Sequence, residues 1–293
     1  MPAGQAPAGH APAKPATDTS DPAGLGDAER RDGTVGKALA VLDQVAAFGR
    51  PVRLFELLAA SPYPKATLFR ILRTLTSQGM LSYDEERQTY HLGLRLVRLA
   101  HTAWRDASLA PIARPHLDAL SADLGETVHL AQLDAGQVLY VDKRNAARPI
   151  EMFSEAGKVG PAYCTGVGKA MLAYQDAETL ERLIPYQAFQ RFTPHTLTDA
   201  AALRAELAAI CARGHAFDNE EHEPGIICVA VPVRARDGRV LGALSVTGST
   251  ARLSLTALAA HAPRLNGAAA RIAEDAEGWR FPTTPRTTKS MGA

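Results

Sequence analysis

The stretch "PKATLFRILRTLTSQGML", residues 64–81, decides how the first third of the chain folds. On a helical wheel Leu68, Ile71, Leu72 and Leu75 share one face. Ala66, Arg70, Arg73 and Ser77 face the opposite way, with Lys65, Thr67, Phe69 and Thr74 on the flanks. A single apolar stripe predicts a helix from about Lys65 to Gln78, opened by Pro64 and stopped by Gly79. Two arginines on the polar face of such a helix are ordinarily a solvated surface. The segments on either side give them another meaning.

Upstream, Val35, Leu39, Leu42, Val45 and Ala46 recur at helical spacing until "GRPV" (49–52) ends the run. A second, short helix from about Arg53 to Ala60 is stopped by "SPYP" (61–64), where two prolines forbid continuation. Downstream, "MLSYDEERQTYHLG" (80–93) reads as strand, polar tip and strand. A short helix, a tight turn, a helix with small and basic residues near its start, and then a hairpin is the order of a winged helix-turn-helix. In the major groove Arg70 and Arg73 could read guanine O6 and N7, and Thr67, Phe69 and Ala66 other base edges. Lys65 and, on the wing, Arg87 would meet phosphates. Residues 33–92 hold seven basic and five acidic side chains, so the local excess is mild and concentrated on that helix.

The 293 residues allow two domains with cores of their own, and a net charge of +1 advertises neither nucleic acid nor membrane globally. Three cysteines, Cys164, Cys211 and Cys228, are too scattered for a CxxC site and odd in number, which fits a reducing compartment. The opening "MPAGQAPAGHAPAKPATDTSDPAG" has no apolar core to make it a signal peptide and is expected to be disordered. No apolar run approaches a membrane span, so a soluble, cytoplasmic protein with no membrane partner is expected. The tail beyond Trp279 also reads as loose.

The second half mixes types. "LRLVRLAHTAW" (94–104) is a connecting helix; strands are expected near Thr127–Leu133, Val138–Asp142 and Ile150–Ser154, and helices near Gly168–Ala173 and Ala200–Cys211. "IICVAVPVRARDGRVLGALSVTG" (226–248) is a hairpin about Asp237-Gly238, and a closing helix spans about Leu255–Asp275. "CTGVGKAML" (164–172) imitates a phosphate-binding loop, yet that motif would need Gly where Tyr163 stands and Ser or Thr where Ala170 stands. What remains is a helix start with Thr165 as N-cap and the amides of Gly166, Val167 and Gly168 free to hold a small carboxylate.

From about Gly33 to Asp275 the chain resembles the IclR family of bacterial transcription regulators. Four segments carry the likeness: "PKATLFRILRTLTSQGML", "YCTGVGKAMLA" (163–173), "RGHAFDNEEHEPGIICVAVPV" (213–233) and "DGRVLGALSVTG" (237–248). The resemblance implies an α+β chain of two domains, an N-terminal winged helix-turn-helix joined by a linker helix to a C-terminal GAF-like α/β effector-binding domain. The expected divisions are a disordered tail at 1–32, the DNA-binding domain at 33–92, the linker at 93–108, the effector domain at 109–277 and a flexible tail at 278–293. It further implies a homodimer or homotetramer on double-stranded operator DNA, most often as a repressor of a catabolic or uptake operon, answering to a small organic acid.

By position in the family's motifs the effector would meet the backbone of Gly166 and Val167, Asp218, Cys228, Ser245 and Thr247, with Met152 and Ile226 as apolar wall. Ser245 and Thr247 stand two apart on a strand, so their hydroxyls face the same way independently of any likeness. Pro62 stands where the family commonly has Gly in the turn between the second and third helices, and stiffens that turn. Gly160 offers no side chain before the pocket helix, which suggests a roomier cavity and makes a sugar-derived acid worth considering.

Each of these residues also has a plainer reading: "DNEEHEPG" (218–225) as a solvated acidic turn, Cys228 as a buried core thiol, Ser245 and Thr247 as sheet-edge polar groups. Asp218, His222 and Cys228, with His129, His195 or His215, give a rival in which a metal or a redox change is sensed on the same scaffold, although their spacing matches no ligand signature. A catalytic thiol needs an electropositive, accessible setting that "IICVAV" (226–231) does not provide. No catalytic residue and no cofactor is expected.

Overall fold

Where the apolar stripes predict helices, the chain forms them. The computed structural model describes residues 33–279 apart from 149, so the Ala/Pro/Gly-rich start and the tail from 280 lie outside the described residues. Three helices, α1 (Thr34–Ala47), α2 (Leu54–Ala60) and α3 (Lys65–Ser77), pack around Val41, Val45, Leu57, Leu68 and Leu72. The three leucines and one isoleucine read from the α3 stripe are the four buried residues of that helix. Between α1 and α2 the chain adds a strand absent from the sequence reading, β1 (Val52–Arg53), which pairs with β3 (Thr89–Leu92) beside β2 (Leu81–Asp84). The wing is therefore three-stranded, in the order β1-β3-β2. Arg53 ends β1 instead of opening α2, and its N–H donates to the Glu56 carboxylate at 2.9 Å, closing the first turn of α2.

Helix α4 (Leu94–Ala107) places Leu96 against the N-terminal core and Trp104 against the C-terminal one. The C-terminal part is a six-stranded antiparallel sheet in the order β6-β5-β4-β9-β8-β7. Its strands are β4 (Thr127–Asp134), β5 (Gln137–Arg144), β6 (Val159–Pro161), β7 (Ala216–Asn219), β8 (Ile226–Arg234) and β9 (Val240–Ser249). Alternation sorts its residues between two faces. Val128, Leu130, Val229, Val231, Leu244 and Val246 meet α5 (Ala110–Leu124) and α10 (Ala262–Asp275). The other face is smaller and more polar: Ala131, Ala230 and Ala243 receive α6 (Gly166–Leu172), outside which lie α7 (Ala177–Leu183) and α8 (Ala200–Arg213).

Three sequence expectations shift. No strand forms over 150–154; β6 lies further on at Val159–Pro161, because side chains hold the earlier segment: Glu223 accepts the Phe153 N–H at 3.0 Å and Ser154 bonds to His129. The closing helix is two, α9 (Leu255–Ala259) and α10, since Pro263 favours a first-turn position over an interior one. Helix α6 begins at Gly166, two residues before its expected start.

Candidate functional site

On α3, Lys65, Ala66, Phe69, Arg70 and Arg73 are exposed and Thr67 is half-buried, so the residues read as a recognition face do form one surface. Phe69 leaves half of its surface in water, an unusual position for an aromatic ring without a partner to cover it. Thr74 turns away from that role, donating its hydroxyl to the Arg70 carbonyl at 3.0 Å. Arg87 at the wing tip is exposed, with Asp84 3.9 Å away. Arg50, between α1 and β1, pairs with Glu56 at 2.6 Å.

The second site follows from strand register. Asp218 stands opposite Cys228, Cys228 opposite Thr247 and Thr247 opposite Thr127, so one row of polar side chains crosses β7, β8, β9 and β4. The next row places His129 opposite Ser245. Directly across from these rows the chain enters α6. Gly166 fits there because it has no side chain: a Cβ at that position would stand 2.4 Å from Cys228 Sγ. Between sheet and helix start remains a cavity of about 30 Å3, lined by Gly166, Val167, Asp218, Ile226, Cys228, Ser245 and Thr247 together with His129, Tyr140, Ser154, Thr165, His222 and Glu223.

Hydroxyls converge on His129. Ser154 Oγ lies 2.9 Å from Nε2, and Ser245 Oγ and Thr247 Oγ1 lie 3.4 and 3.3 Å from Nδ1. Burial and the nearby Lys143 ammonium push His129 down to about 3, so the ring is neutral near pH 7, with one nitrogen a donor and the other an acceptor. Burial, reinforced by the Glu221 carboxylate, lifts Asp218 to about 7, against the Glu221 N–H that its Oδ1 accepts at 2.8 Å. Burial likewise raises the Cys228 and Cys164 thiols, which stay protonated.

The acidic turn that follows Asp218 is not a solvated loop. Glu221 is buried and pairs with Lys169 from the middle of α6, itself buried, and Thr193 and Thr196 donate to the Glu220 and Glu221 carbonyls at 2.6 Å each. The lysine that made "GVGKA" resemble a phosphate loop is thus spent on a buried ion pair.

Two family models match this chain. "IclR helix-turn-helix domain" covers residues 34–85 and "Bacterial transcriptional regulator IclR C-terminal" covers residues 101–274. The HTH-type transcriptional regulator KdgR of Escherichia coli is 31% identical over 84% of this chain and 94% of its own length. The acetate operon repressor of Salmonella typhimurium is 29% identical over 74% and 80%. Among solved structures, the Thermotoga maritima IclR superposes with a TM-score of 0.68 at 27% identity, covering 82% of this chain and 97% of its own.

The chain belongs to the IclR family. It is a transcriptional regulator with a helix-turn-helix DNA-binding domain and a C-terminal α/β domain, and the relatives it matches are named as regulators of transcription. Of the eight effector residues that the family's motifs suggested, seven line the cavity and Met152 does not: it is buried, but the irregular path of 150–154 brings Ser154 into the lining in its place. Gly168 is also displaced from its expected role, lying against Ala162, where a Cβ would come within 2.4 Å of the backbone. Thr165 occupies the N-cap position without capping, because its hydroxyl donates to the Pro161 carbonyl at 2.7 Å.

The space expected beside Gly160 is filled by the Phe153 and Tyr140 rings, each 3.5 Å from where its Cβ would be, so the cavity is small instead of roomy. The metal reading is not favoured. Among the described residues no three His, Cys, Asp or Glu side chains group to hold an ion, and His222 instead sits between the Phe153 and Phe192 rings at 5.1 and 4.8 Å. A buried, protonated Cys228 is equally poor as a redox sensor. His129, Tyr140, Ser154 and Glu223 escaped the sequence reading as pocket residues. Thr127 and His129 on alternate positions at the start of a largely buried strand were the signal for His129; for Ser154 and Glu223 there was none, since loops bring them in.

Proposed function

We propose that this regulator represses a catabolic or uptake operon as a homo-oligomer on a pseudo-palindromic operator, and that a small organic acid in the C-terminal cavity releases it. The observation that carries the reading is the convergence of Asp218, Cys228, Ser245, Thr247 and His129 in front of the α6 backbone. Among the described residues no lining side chain is a lysine or an arginine. An acid there would be held by backbone amides and hydroxyl groups, a set suited to a carboxylate that also carries a hydroxyl or keto oxygen. A cavity of about 30 Å3 holds about one water, so an acid enters by widening it. Repression is supported by the name of the Salmonella relative.

In the major groove Arg70, Arg73, Thr67, Phe69 and Ala66 would address base edges, with Lys65 and Arg87 on phosphates. Fluorescence anisotropy on the protein's own upstream DNA, at two salt concentrations and with a panel of small hydroxy, keto, sugar and aromatic acids, tests both halves. Tight, salt-sensitive binding weakened by one acid is the expected result. Arg70→Ala should cost about 1–3 kcal/mol on the operator and loosen sequence preference, while Arg87→Ala should weaken operator and random DNA alike. Equal losses on both DNAs for both variants would contradict the assignments.

A further inference from the structure

A second and larger concavity lies at the far end of the same sheet. β7 covers β8 only as far as Ala230, so from Pro232 onward β8 is an edge on that side, which is also why a proline is tolerated in the strand. Between this edge, the β8–β9 turn and α10 runs a cleft of about 500 Å3, within the range of small-ligand sites and far larger than the cavity at His129. Arg234 lies six residues along β8 from Cys228, about 20 Å at strand rise, so the two spaces are separate.

The walls are sorted by chemistry. Ala269 and Ala270 of α10 form an apolar floor, Asn266 stands one helical turn before them, and Arg234 and Arg236 rise from the strand and turn. Among the described residues no acidic side chain lines the cleft. The Arg234 guanidinium is laid over the Tyr174 ring, 4.3 Å from its centre, a cation–π contact that holds the planar group without using its N–H donors. Among the described residues no carboxylate pairs with Arg234, whereas Arg236 has Glu277 at 3.6 Å. A guanidinium fixed by its face and free along its edge is built to take a carboxylate through two parallel hydrogen bonds.

We propose that this cleft is a second ligand site, selective for a small organic anion with a flat apolar body, an aromatic carboxylate. The carboxylate engages the edge of Arg234 and the ring covers the alanine floor. Tyr174 stands two residues past the end of α6, whose first residues line the His129 cavity, so the short helix runs from one site toward the other.

Isothermal titration of the full chain with benzoate, and with uncharged benzamide, tests the assignment. Benzoate should bind and benzamide bind at least about tenfold more weakly. Arg234→Ala should weaken benzoate at least about tenfold with an unchanged thermal midpoint, since Arg234 is exposed, and Arg234→Lys should restore only part of it. Thr247→Val, in the other cavity, should leave benzoate binding as it is. Absence of binding, binding that survives Arg234→Ala, or binding lost with Thr247→Val instead would each overturn the proposal. The last of these would leave the His129 cavity standing as an acid site.

Discussion

Asp218 is a carboxyl group in an environment that resists its charge. Burial and Glu221 lift it to about 7, while Lys169, His222 and the Glu221 N–H oppose the rise; Cys228, across from it, and Tyr140, also lining the cavity, are themselves pushed upward. The sign of its effect on stability follows. Below about pH 4 the folded and unfolded chains both hold the proton; between about 4 and 7 the unfolded chain gives it up while the folded chain keeps it, so stability falls as pH rises and levels off above about 7. Relative to Asp218→Asn, which cannot ionise but can still accept the Glu221 N–H, the wild type should lose a few kcal/mol across that window. Urea unfolding at about pH 4.5 and about pH 8, near the two edges of the window, would show it, and a difference independent of pH would refute the burial argument. Gly166 makes a steric counterpart. Gly166→Ala drives a methyl group into Cys228 Sγ and should cost about 1–3 kcal/mol, and adding Cys228→Ala should recover much of that in the same unfolding assay.

At the scale of elements, α6 is anchored less by its own hydrogen bonds than by the Lys169–Glu221 pair at its centre. Lys169→Ala would leave Glu221 buried with one oxygen already unpartnered and should cost about 3–5 kcal/mol, whereas Lys169→Met with Glu221→Gln should cost much less. A double-mutant cycle in denaturant measures the coupling; additive effects would show that the pair does not hold the helix. The same helix shows what could be read in advance. Its composition, small residues followed by lysine, was visible, but only the partner from 52 residues away explains the lysine. The α3 stripe and the Asp237-Gly238 turn were legible because period and turn chemistry are local; Gly238 adopts φ 86° as such a turn requires. β6 and the break before α10 were not, since their placement depends on side chains from elsewhere holding 150–158 and on a proline's choice between interior and first turn. The cavity was legible in its strand residues, where alternation assigns a face, and illegible in Ser154 and Glu223, which arrive on irregular chain.

For the whole molecule, the unusual feature is apolar surface on the N-terminal helices. Val35 and Leu39 of α1 are 74% and 54% exposed, and Leu94 and Val97 of α4 are 81% and 63% exposed. The C-terminal sheet buries its large aliphatic residues on both faces, so a general shortage of polar surface does not account for these four. Apolar side chains left on the first helix of the DNA-binding domain and on the linker helix beside it fit a symmetric contact with a second copy, which would place two recognition helices on successive major-groove faces about 34–36 Å apart. Leu94→Glu combined with Val97→Glu should therefore lower the mass seen by light scattering to that of smaller assemblies, without moving the thermal midpoint of either core. Operator affinity should fall by at least about a hundredfold, the advantage of two linked half-sites, while binding to random DNA, which rests on phosphate contacts of α3 and the wing, falls far less. If the mass is unchanged and operator and random DNA weaken together, the apolar face serves the fold of one chain and is not a contact between copies.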